Sequence, residues 1–400
     1  MKICLVRCRS EFLIDDRVYP PLGLMAVGAG LKQSGHDVVI HDGDLADIPV
    51  GYDAYGLGPT APEYPYALVA KNLIKQRDDQ VRLVLGGPHA TLNYASCVDD
   101  GWNCIVVGDG EVSSNSAFIG TSSLIIAEEQ PLDEYPLPDR SLVHIRDYHF
   151  TLDGRPGTTL VTSRGCPFSC AFCCKVHKKV RLKSAKSVIE EIEVLQDEFG
   201  FSALGFPEDV FIISPARARK IASCLEERGI IWRCLARADL IVGYGLEFLQ
   251  MLSDSGCVSI SMGIESGSDR ILKTVGKGET TQTILMAIEM LRDAGIQSRG
   301  YFMVGLPGED ETTLAETESF LQKAGLDDAA FYVYMPYPGS RIYDERSQFD
   351  IGWNGQALAN AFFKGKHGIE RSSVFTSKLS STRIAEACNT LEKAYTKDKR

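Results

Sequence analysis

Short apolar runs alternate with amphipathic, helix-forming stretches along most of this 400-residue chain. In the first 130 residues, five such runs each end in a turn rich in Gly or Asp: 2–6, 37–42, 52–58, 81–87 and 104–110. Buried strands separated by helices are typical of a parallel sheet that is covered on both faces. Residues 1–130 are therefore predicted to form a doubly wound α/β domain whose ligand lies beyond the carboxyl ends of its strands.

A second alternating region follows the proline-rich stretch PLDEYPLPDRSL, and residues 131–158 are predicted to be an extended linker. Six further apolar runs, with helices between them, lie at 158–165, 203–209, 230–237, 257–266, 297–305 and 329–336. Six strands are too few for a closed eight-stranded barrel, so residues 159–340 are predicted to form a partial (β/α)6 TIM-like barrel. Residues 341–400 contain one clear helix, at 381–400, and are predicted to be a short helical C-terminal cap.

The formal net charge of −11 argues against a nucleic-acid binder that is held by phosphate contacts. One stretch is locally basic: Lys175, Lys178, Lys179, Arg181, Lys183 and Lys186. We interpret it as a solvated loop, with contact to an anionic substrate as the alternative. The sequence shows no signal peptide and no apolar run long enough to span a membrane, so a cytoplasmic protein with reduced cysteines is expected.

Four of the 12 cysteines lie within nine residues, in SRGCPFSCAFCC. Cys166, Cys170 and Cys173 have the spacing CxxxCxxC, and three thiolates on one loop can hold three corners of a 4Fe–4S cluster. The fourth iron then stays open to a cofactor or substrate. Cys174 is a poor fourth ligand, because adjacent side chains point in different directions. A structural zinc site is the alternative, but apart from His177 no second pair of ligands follows at zinc-finger spacing.

This cysteine motif resembles that of the radical S-adenosylmethionine (SAM) superfamily, including Phe172 before the third cysteine. Further segments at strand ends are similar to superfamily motifs: FPEDVF (206–211), RADLI (237–241), SMGIESGSDRILKTVGKG (261–278), MVGLPGEDETT (303–313) and YMPYPGSRIY (334–343). The Rossmann-like N-terminal domain makes the chain similar to the branch with a cobalamin-binding domain, the class B methyltransferases. Together the resemblance covers roughly residues 1–345.

The resemblance implies a SAM site at the strand ends of the barrel. SAM carries an ammonium and a carboxylate, so its site needs a carboxylate and a cation, and an arginine fork suits the SAM carboxylate. The predicted contacts are Glu208 and Asp209 for the ammonium, Arg237 for the carboxylate, Glu265 and Ser266 for the ribose, and Gly305 and Pro307, with Phe172, around the rest. For each strand-end acid the alternative is a helix-capping role. No further catalytic residue is assigned.

The resemblance also implies cobalamin over the strand ends of the first domain. Its predicted contacts lie in three turns, PTAPEY, GGPHAT and GDGE: Thr60, Gly86, Gly87 and Gly108. The cobalt-binding DxHxxG signature is missing, since the turn at 10–24 has no histidine. His41 is interpreted as a local hydrogen-bonding residue. The alternative is a relic domain that binds no cofactor and only shields the radical site.

The predicted function is reductive cleavage of SAM to a 5′-deoxyadenosyl radical, with cobalamin-dependent methyl transfer to an unactivated carbon, or phosphorus, of a small molecule. The alternatives are a radical SAM cyclase, oxidase, ring-contracting or rearranging enzyme, and a non-catalytic iron–sulfur electron carrier. A flavodoxin- or ferredoxin-type reductant is expected as partner. The predicted entry to the substrate site is lined by Tyr332, Tyr334, Tyr337 and Tyr343, with Trp353, Phe362, Phe363 and His367 in the cap.

Overall fold

The computed structural model describes residues 1–10, 13, 15–177, 179–354 and 372–397, which fall into two compact units. The first unit is Met1–His149 with Cys174–Lys178, and the second is Phe150–Cys173 with Lys179–Arg400. The predicted cap residues Phe362, Phe363 and His367 lie outside the described residues.

Residues 131–149, predicted to be part of a linker, belong to the first unit. Tyr135 is buried and donates a 2.7 Å hydrogen bond to Asp109, and Asp139 lies 2.5 Å from Lys32. These contacts give the proline-rich stretch fixed partners, which the proline pattern alone does not reveal. The predicted C-terminal cap likewise belongs to the second unit and does not form a unit of its own.

The first unit is built on a six-stranded parallel sheet. Its strands are β1 (Lys2–Val6), β2 (Asp37–His41), β3 (Ala54–Leu57), β4 (Arg82–Leu85), β5 (Cys104–Val107) and β6 (Leu124–Ile126). They are arranged in the order β2-β1-β3-β4-β5-β6, with every neighbouring pair parallel. The order reverses between β1 and β3, the kind of switch point at which doubly wound folds bind ligands. Strand β6 was not predicted, because it is only three residues long and largely exposed.

Helices on both faces of this sheet bury its strands. They are α1 (Leu22–Gln33), α2 (Tyr64–Arg77), α3 (Gly87–Cys97) and α4 (Gly110–Ile119). One apolar cluster joins β1, β3 and β4 to Ala67, Ala70 and Ile74 of α2, and another joins the opposite face to Leu31 and Phe118. The predicted parallel α/β organisation of this region is therefore confirmed.

The second unit contains a curled, open sheet of six parallel strands with one antiparallel edge strand. Its order is β15-β14-β13-β12-β11-β8-β7, where β7 is Thr151–Leu152, β8 Arg155–Thr159, β11 Ala203–Phe206, β12 Ile231–Ala236, β13 Cys257–Glu265, β14 Gln297–Val304 and β15 Asp328–Val333. Short two-stranded ribbons are formed by β9 (Ser163–Arg164) with β10 (Arg181–Leu182), and by β16 (Gly352–Trp353) with β17 (Val374–Phe375).

Helices follow these strands in alternation. They are α5 (Ala185–Asp197), α6 (Pro215–Glu227), α7 (Ala238–Tyr244), α8 (Leu246–Asp254), α9 (Asp269–Thr274), α10 (Thr281–Asp293), α11 (Glu311–Ala324), α12 (Arg341–Asp344) and α13 (Ser381–Tyr395). Among the described residues, no helix has the length and apolar character needed to cross a membrane.

The faces of the second sheet differ because its strands alternate. In β12, Trp232, Cys234 and Ala236 are buried, and Trp232 packs against Phe206 and Phe211 with ring centroids 5.8 and 5.3 Å away. Arg233 and Leu235 are only half-buried on the other face. A side-chain period of two thus gives one face packed in the core and one lined by more polar residues.

The C-terminal helix α13 covers the open edge of this sheet. Glu392 accepts a 3.2 Å hydrogen bond from the backbone N–H of Phe331, and Thr396 donates a 2.6 Å bond to the carbonyl of Ala329. An uncovered edge strand leaves backbone groups unpaired, so these contacts stabilise β15 and help keep it from pairing with other chains.

Candidate active site

The cysteine loop is held in place by its backbone. Antiparallel pairing of β9 with β10 closes its base. Within the loop, Ala171 donates a 2.7 Å bond to the carbonyl of Val275, and its own carbonyl accepts a 3.0 Å bond from Ile342. The loop is thereby attached to the turn after α9 and to the start of α12, so its thiols have a fixed position at the ends of the strands.

The three predicted cluster ligands lie close together. The Cys173 thiol donates a hydrogen bond that lowers the pKa of Cys170, and the Cys173 N–H donates a 3.2 Å bond to the Cys170 carbonyl. Burial raises the pKa of the Cys166 thiol, and the charge of the nearby Cys170 thiolate raises it further. Of the residues described, no three His, Cys, Asp or Glu surround a point suited to a single metal ion. A cubane is compatible with this, because each of its ligand thiolates binds a different iron.

The other eight cysteines are buried and not joined in disulfides, as expected for structural thiols: Cys4, Cys8, Cys97, Cys104, Cys224, Cys234, Cys257 and Cys388.

Glu208, which follows β11, is the most isolated carboxylate near this loop. It is 7% exposed, and the Thr162 hydroxyl donates a short hydrogen bond to its Oε1. Its Oε2 is buried and has no hydrogen-bond partner among the residues described. Burial raises the pKa of Glu208 to about 7, against the lowering effect of Thr162. A buried carboxylate oxygen without a donor is suited to an ammonium group. Asp209, predicted beside it, is exposed.

Arg237, at the end of β12, is 5% exposed and lies beside the cysteine loop. Its Nη1 is 4.0 Å from the Cys170 sulfur, and its guanidinium stacks on Phe168 at 3.7 Å from the ring centroid. Asp239 accepts two hydrogen bonds from it, at 3.0 and 2.8 Å. Phe168 and Asp239 were not predicted as site residues. Phe168 lies inside the CxxxC segment, so its position next to the ligands was the available signal.

Glu265 ends β13 in a left-handed conformation with φ of 69°, a strained region for a residue other than glycine. It is 9% exposed, and its Oε1 lies 3.4 Å from Nζ of Lys277. Burial raises the pKa of Glu265, although Lys277 acts in the opposite direction. Lys277 in turn lies 3.3 Å from Glu279. Neither Lys277 nor Glu279 was predicted. Both lie in the segment GKGE, at the end of the motif after β13.

Two predicted SAM contacts have other partners in the structure. The buried hydroxyl of Ser266 lies 3.4 Å from that of Thr317 and accepts a 3.2 Å bond from the Ser268 N–H. A Cβ on Gly305 would lie 2.9 Å from Val374 and 3.1 Å from Ile384. The absence of a side chain at Gly305 therefore makes room for Val374 and Ile384 of the C-terminal segment. Pro307 is buried and Phe172 half-buried.

The aromatic residues predicted near the substrate divide into two groups. Tyr334 is buried, at 2% exposure, and so belongs to the core. Tyr343 and Trp353 stack with ring centroids 5.5 Å apart, and Arg346 lies 4.0 Å from the centre of the Trp353 ring. The structure therefore brings together one predicted aromatic pair, in the segment that follows β15.

In the first unit, the predicted glycine turns share one edge of the sheet, because β3, β4 and β5 are parallel neighbours. Gly87 has φ of 80°, and a Cβ there would lie 2.7 Å from the backbone of Gly58. Gly86 is more open, since a Cβ there would lie 3.9 Å from its nearest neighbour. Gly108, with φ of 92°, donates its N–H to a threonine hydroxyl at 3.0 Å.

Thr60, the fourth predicted cobalamin contact, has a local partner. Its hydroxyl bonds to Glu63 at 2.8 Å in a capping arrangement at the start of a short helical turn. The side chain therefore orders the segment that leads into α2.

Neither histidine near this edge resembles a prepared cobalt ligand. His41 lies 3.0 Å from the carbonyl of Asp44, the local hydrogen bond that was predicted. His89 stacks on Tyr64 with centroids 4.0 Å apart, and burial lowers its pKa. The ring nitrogen Nε2 of His89 is buried and has no hydrogen-bond partner among the described residues.

The sequence profile of the radical SAM superfamily matches residues 160–321. A protein of Pyrococcus horikoshii, named as an uncharacterized methyltransferase, is 30% identical over 420 residues, which cover 92% of this chain and 88% of that protein. The chain belongs to the radical SAM superfamily. It is therefore an enzyme that uses a 4Fe–4S cluster and SAM.

Two further similarities concern the wider branch. The anaerobic magnesium-protoporphyrin IX monomethyl ester cyclase of Rubrivivax gelatinosus is 26% identical over 372 residues, covering 82% of this chain and 66% of that protein. The methyltransferase TsrM of Kitasatospora setae, whose structure was solved with cobalamin and a [4Fe–4S] cluster, has a TM-score of 0.64 at 14% identity. That match covers 86% of this chain and 74% of TsrM and shows the shared fold.

Proposed function

We propose that this enzyme is a cobalamin-dependent radical SAM methyltransferase that methylates an unactivated carbon, or a phosphorus centre, of a small molecule. In this proposal the second unit is the partial (β/α)6 barrel that holds the cluster and SAM, and the first is a Rossmann-like, cobalamin-binding domain. Cys166, Cys170 and Cys173 hold the cluster. A flavodoxin- or ferredoxin-type protein supplies electrons.

The observation that carries the SAM site is the buried Oε2 of Glu208, which lacks a hydrogen-bond donor among the described residues. The ammonium of SAM supplies the missing donor and a positive charge, and its arrival favours the ionised form of a carboxyl whose pKa is about 7. Thr162 holds the other oxygen, so the carboxylate is already oriented before SAM binds. Orientation of this kind reduces the cost of ordering the site.

Arg237 and Glu265 bind the other polar parts of SAM in this proposal. Stacking on Phe168 and the two hydrogen bonds to Asp239 fix the plane of Arg237, and its Nη1, which lies 4.0 Å from the Cys170 sulfur, is the group that meets the SAM carboxylate. Glu265 is buried and accepts hydrogen bonds from the ribose hydroxyls. When bound, a reduced 4Fe–4S cluster supplies the electron that cleaves SAM to methionine and a 5′-deoxyadenosyl radical.

The proposal of cobalamin rests on the first unit. Its strand order provides a switch point, and Gly86 at the end of β4, where an added Cβ would lie 3.9 Å from its nearest neighbour, gives the sheet edge a place without a side chain. A flat macrocycle can approach such a place closely. When bound, cobalamin supplies the methyl group, which a second SAM replaces. The TsrM structure, which holds cobalamin on a similar fold, supports this assignment.

The second candidate function is a radical SAM reaction without methyl transfer, such as a cyclisation. It is favoured by the similarity to the Rubrivivax gelatinosus cyclase over 82% of this chain. The two functions use the same SAM site and differ in their SAM products. Methylation forms S-adenosylhomocysteine together with 5′-deoxyadenosine, whereas cyclisation forms 5′-deoxyadenosine alone.

The test is anaerobic purification, reconstitution with iron, sulfide and cobalamin, and analysis of SAM products under reduction. Each member of a panel of small-molecule substrates is assayed in the presence and in the absence of cobalamin. The proposal predicts that the enzyme binds a stoichiometric amount of corrin. It also predicts that S-adenosylhomocysteine forms only when cobalamin is present. Formation of 5′-deoxyadenosine alone, at equal rates with and without cobalamin, would reject methyl transfer and favour the second function.

A further inference from the structure

Lys277 lies in a tight glycine turn that follows α9. Gly276 and Gly278, on either side of it, have φ of 64° and 74°, and the Lys277 N–H donates a 2.9 Å bond to the carbonyl of Leu272. Positive φ values are accessible to glycine at little cost. The sequence GKG therefore reverses the chain at this point and fixes the direction of one lysine side chain, which is only 6% exposed.

The ammonium of Lys277 lies between two buried carboxylates. It is 3.4 Å from Glu265 Oε1 and 3.3 Å from Glu279 Oε2. Burial alone lowers the pKa of Lys277, but the two carboxylates more than offset this and raise it. Gly263 leaves the space for the pair, since a Cβ there would lie 2.4 Å from Glu265 Oε1 and 3.4 Å from Lys277 Nζ.

Glu279 connects this lysine to Arg237. Its side chain is fully buried, its Oε1 accepts a 3.0 Å bond from the Asp239 N–H, and its Oε2 lies 3.7 Å from Nη2 of Arg237. The same Nη2 donates a 3.0 Å bond to the carbonyl of Lys277. One short segment, 277–279, therefore contacts both Arg237 and Glu265.

We propose that Lys277 and Glu279 are positioning residues that prearrange Arg237 and Glu265 for opposite ends of SAM, an inference that rests on the proposed SAM site. Arg237 then meets the SAM carboxylate and Glu265 the ribose, while Lys277 places one positive charge between two neighbouring buried carboxylates. Without Lys277, Glu265 loses its ion-pair partner and Glu279 keeps only Arg237, and a buried charge without its partner is strongly unfavourable. Glu265 then relaxes from its strained conformation or takes up a proton, and in either case binds the ribose less well.

The test compares Lys277→Met, Lys277→Arg and a control, Lys273→Met, which removes an exposed lysine four residues earlier. After reconstitution, iron content is counted, the SAM dissociation constant is measured by equilibrium dialysis, and the EPR signal of the reduced cluster is recorded with and without SAM. The inference predicts normal iron, at least about tenfold weaker SAM binding for Lys277→Met, and recovery to within a few-fold for Lys277→Arg. The shift of the EPR signal by SAM should be altered in Lys277→Met alone.

Equal SAM affinity and equal EPR shifts in Lys277→Met and Lys273→Met would overturn the inference. Glu279→Gln, which keeps the shape of the side chain, decides the matter if Lys277→Met does not fold. It should raise KM for SAM more than it lowers kcat, and unchanged kinetic constants would also overturn the inference. A failure of the wild-type enzyme to bind SAM would instead reject the proposed SAM site itself.

Discussion

The hydroxyl of Thr162 donates a hydrogen bond to one oxygen of Glu208 and leaves the other oxygen buried without a donor in the described part of the chain. This asymmetry leaves Glu208 a half-satisfied carboxylate, and burial raises its pKa to about 7. In most buried sites such an oxygen has a partner. Here the ammonium of SAM is the proposed partner, and the arrangement makes SAM binding sensitive to pH.

SAM affinity should rise with pH through about 7 and become nearly independent of pH in Glu208→Gln. The folded-state pKa of Glu208 is raised, so the protonated form predominates below about 7 and lacks the negative charge that attracts the ammonium. Glu208→Gln should bind SAM roughly tenfold more weakly at pH 8, because a charge-assisted hydrogen bond is lost. Dissociation constants measured from pH 6 to 8 check this. A parallel pH dependence in both proteins would show that another group titrates.

The same pKa shift predicts how the stability of the enzyme without SAM depends on pH. A carboxyl with a raised pKa favours the folded state most below its unfolded pKa near 4.5 and loses that contribution as pH rises through about 7. Glu309, whose pKa burial also raises to about 7, acts in the same direction. The denaturant midpoint should therefore fall between pH 5 and 8, and SAM should reverse part of the fall at pH 8. A midpoint that rises over this range would contradict the assignment.

Cluster content should separate the three predicted ligands from the adjacent cysteine. Cys170→Ser should lose most of its iron and sulfide after reconstitution, since the Cys170 thiol lies beside Cys173 and Arg237, whereas Cys174→Ser should keep both. Iron and sulfide analysis with EPR of the reduced proteins provides the measurement. Equal loss in the two variants would place Cys174 among the ligands.

Gly263→Ala should weaken SAM binding without unfolding the protein. The new Cβ would lie 2.4 Å from Glu265 Oε1, which must move away from Lys277. Gly243→Ala is the matched control, because a Cβ added there meets no neighbouring residue within 4 Å in the described part of the chain, and alanine there stabilises helix α7 by about 0.5–1 kcal/mol. Dissociation constants and melting temperatures are compared. If both variants bind SAM equally, the space at Gly263 does not serve this ion pair.

Gly305→Ala should destabilise the second unit by about 1–3 kcal/mol more than Gly308→Ala. Both glycines have positive φ, 96° and 79°, so both variants carry backbone strain. Only at Gly305 does the added methyl meet a neighbour, Val374 at 2.9 Å, whereas Gly308 is open among the described residues. Denaturant unfolding measures the difference. Equal losses of stability in the two variants would mean that backbone strain alone, without the contact to Val374, explains why residue 305 is a glycine.

The strands and the closeness of the three loop cysteines were the features of the structure best predicted from sequence. Buried runs such as 203–209 and 257–266 have a strong apolar signal, and β11 and β13 begin at residues 203 and 257. Close spacing in sequence also forced Cys166, Cys170 and Cys173 to be neighbours in space. Short edge strands such as β6 lack that signal, because three residues cannot show a period.

Side-chain partners that are distant in sequence were not predictable. Arg237 and Glu279 meet only because the fold places the turn after α9 beside the end of β12. No local sequence pattern predicts that contact. The same holds for Gly305, whose neighbours Val374 and Ile384 lie about 70 residues further along the chain. Local motifs therefore identified the elements of the site, and the three-dimensional fold was needed to show which charges it pairs.

The most direct test of the central claim is the fate of SAM on the reduced, reconstituted enzyme under strict exclusion of oxygen. The account predicts a 4Fe–4S cluster bound through Cys166, Cys170 and Cys173, and release of 5′-deoxyadenosine and methionine that is abolished in Cys166→Ser. Purified protein that holds zinc at these thiols, and leaves SAM intact after reduction, would contradict it.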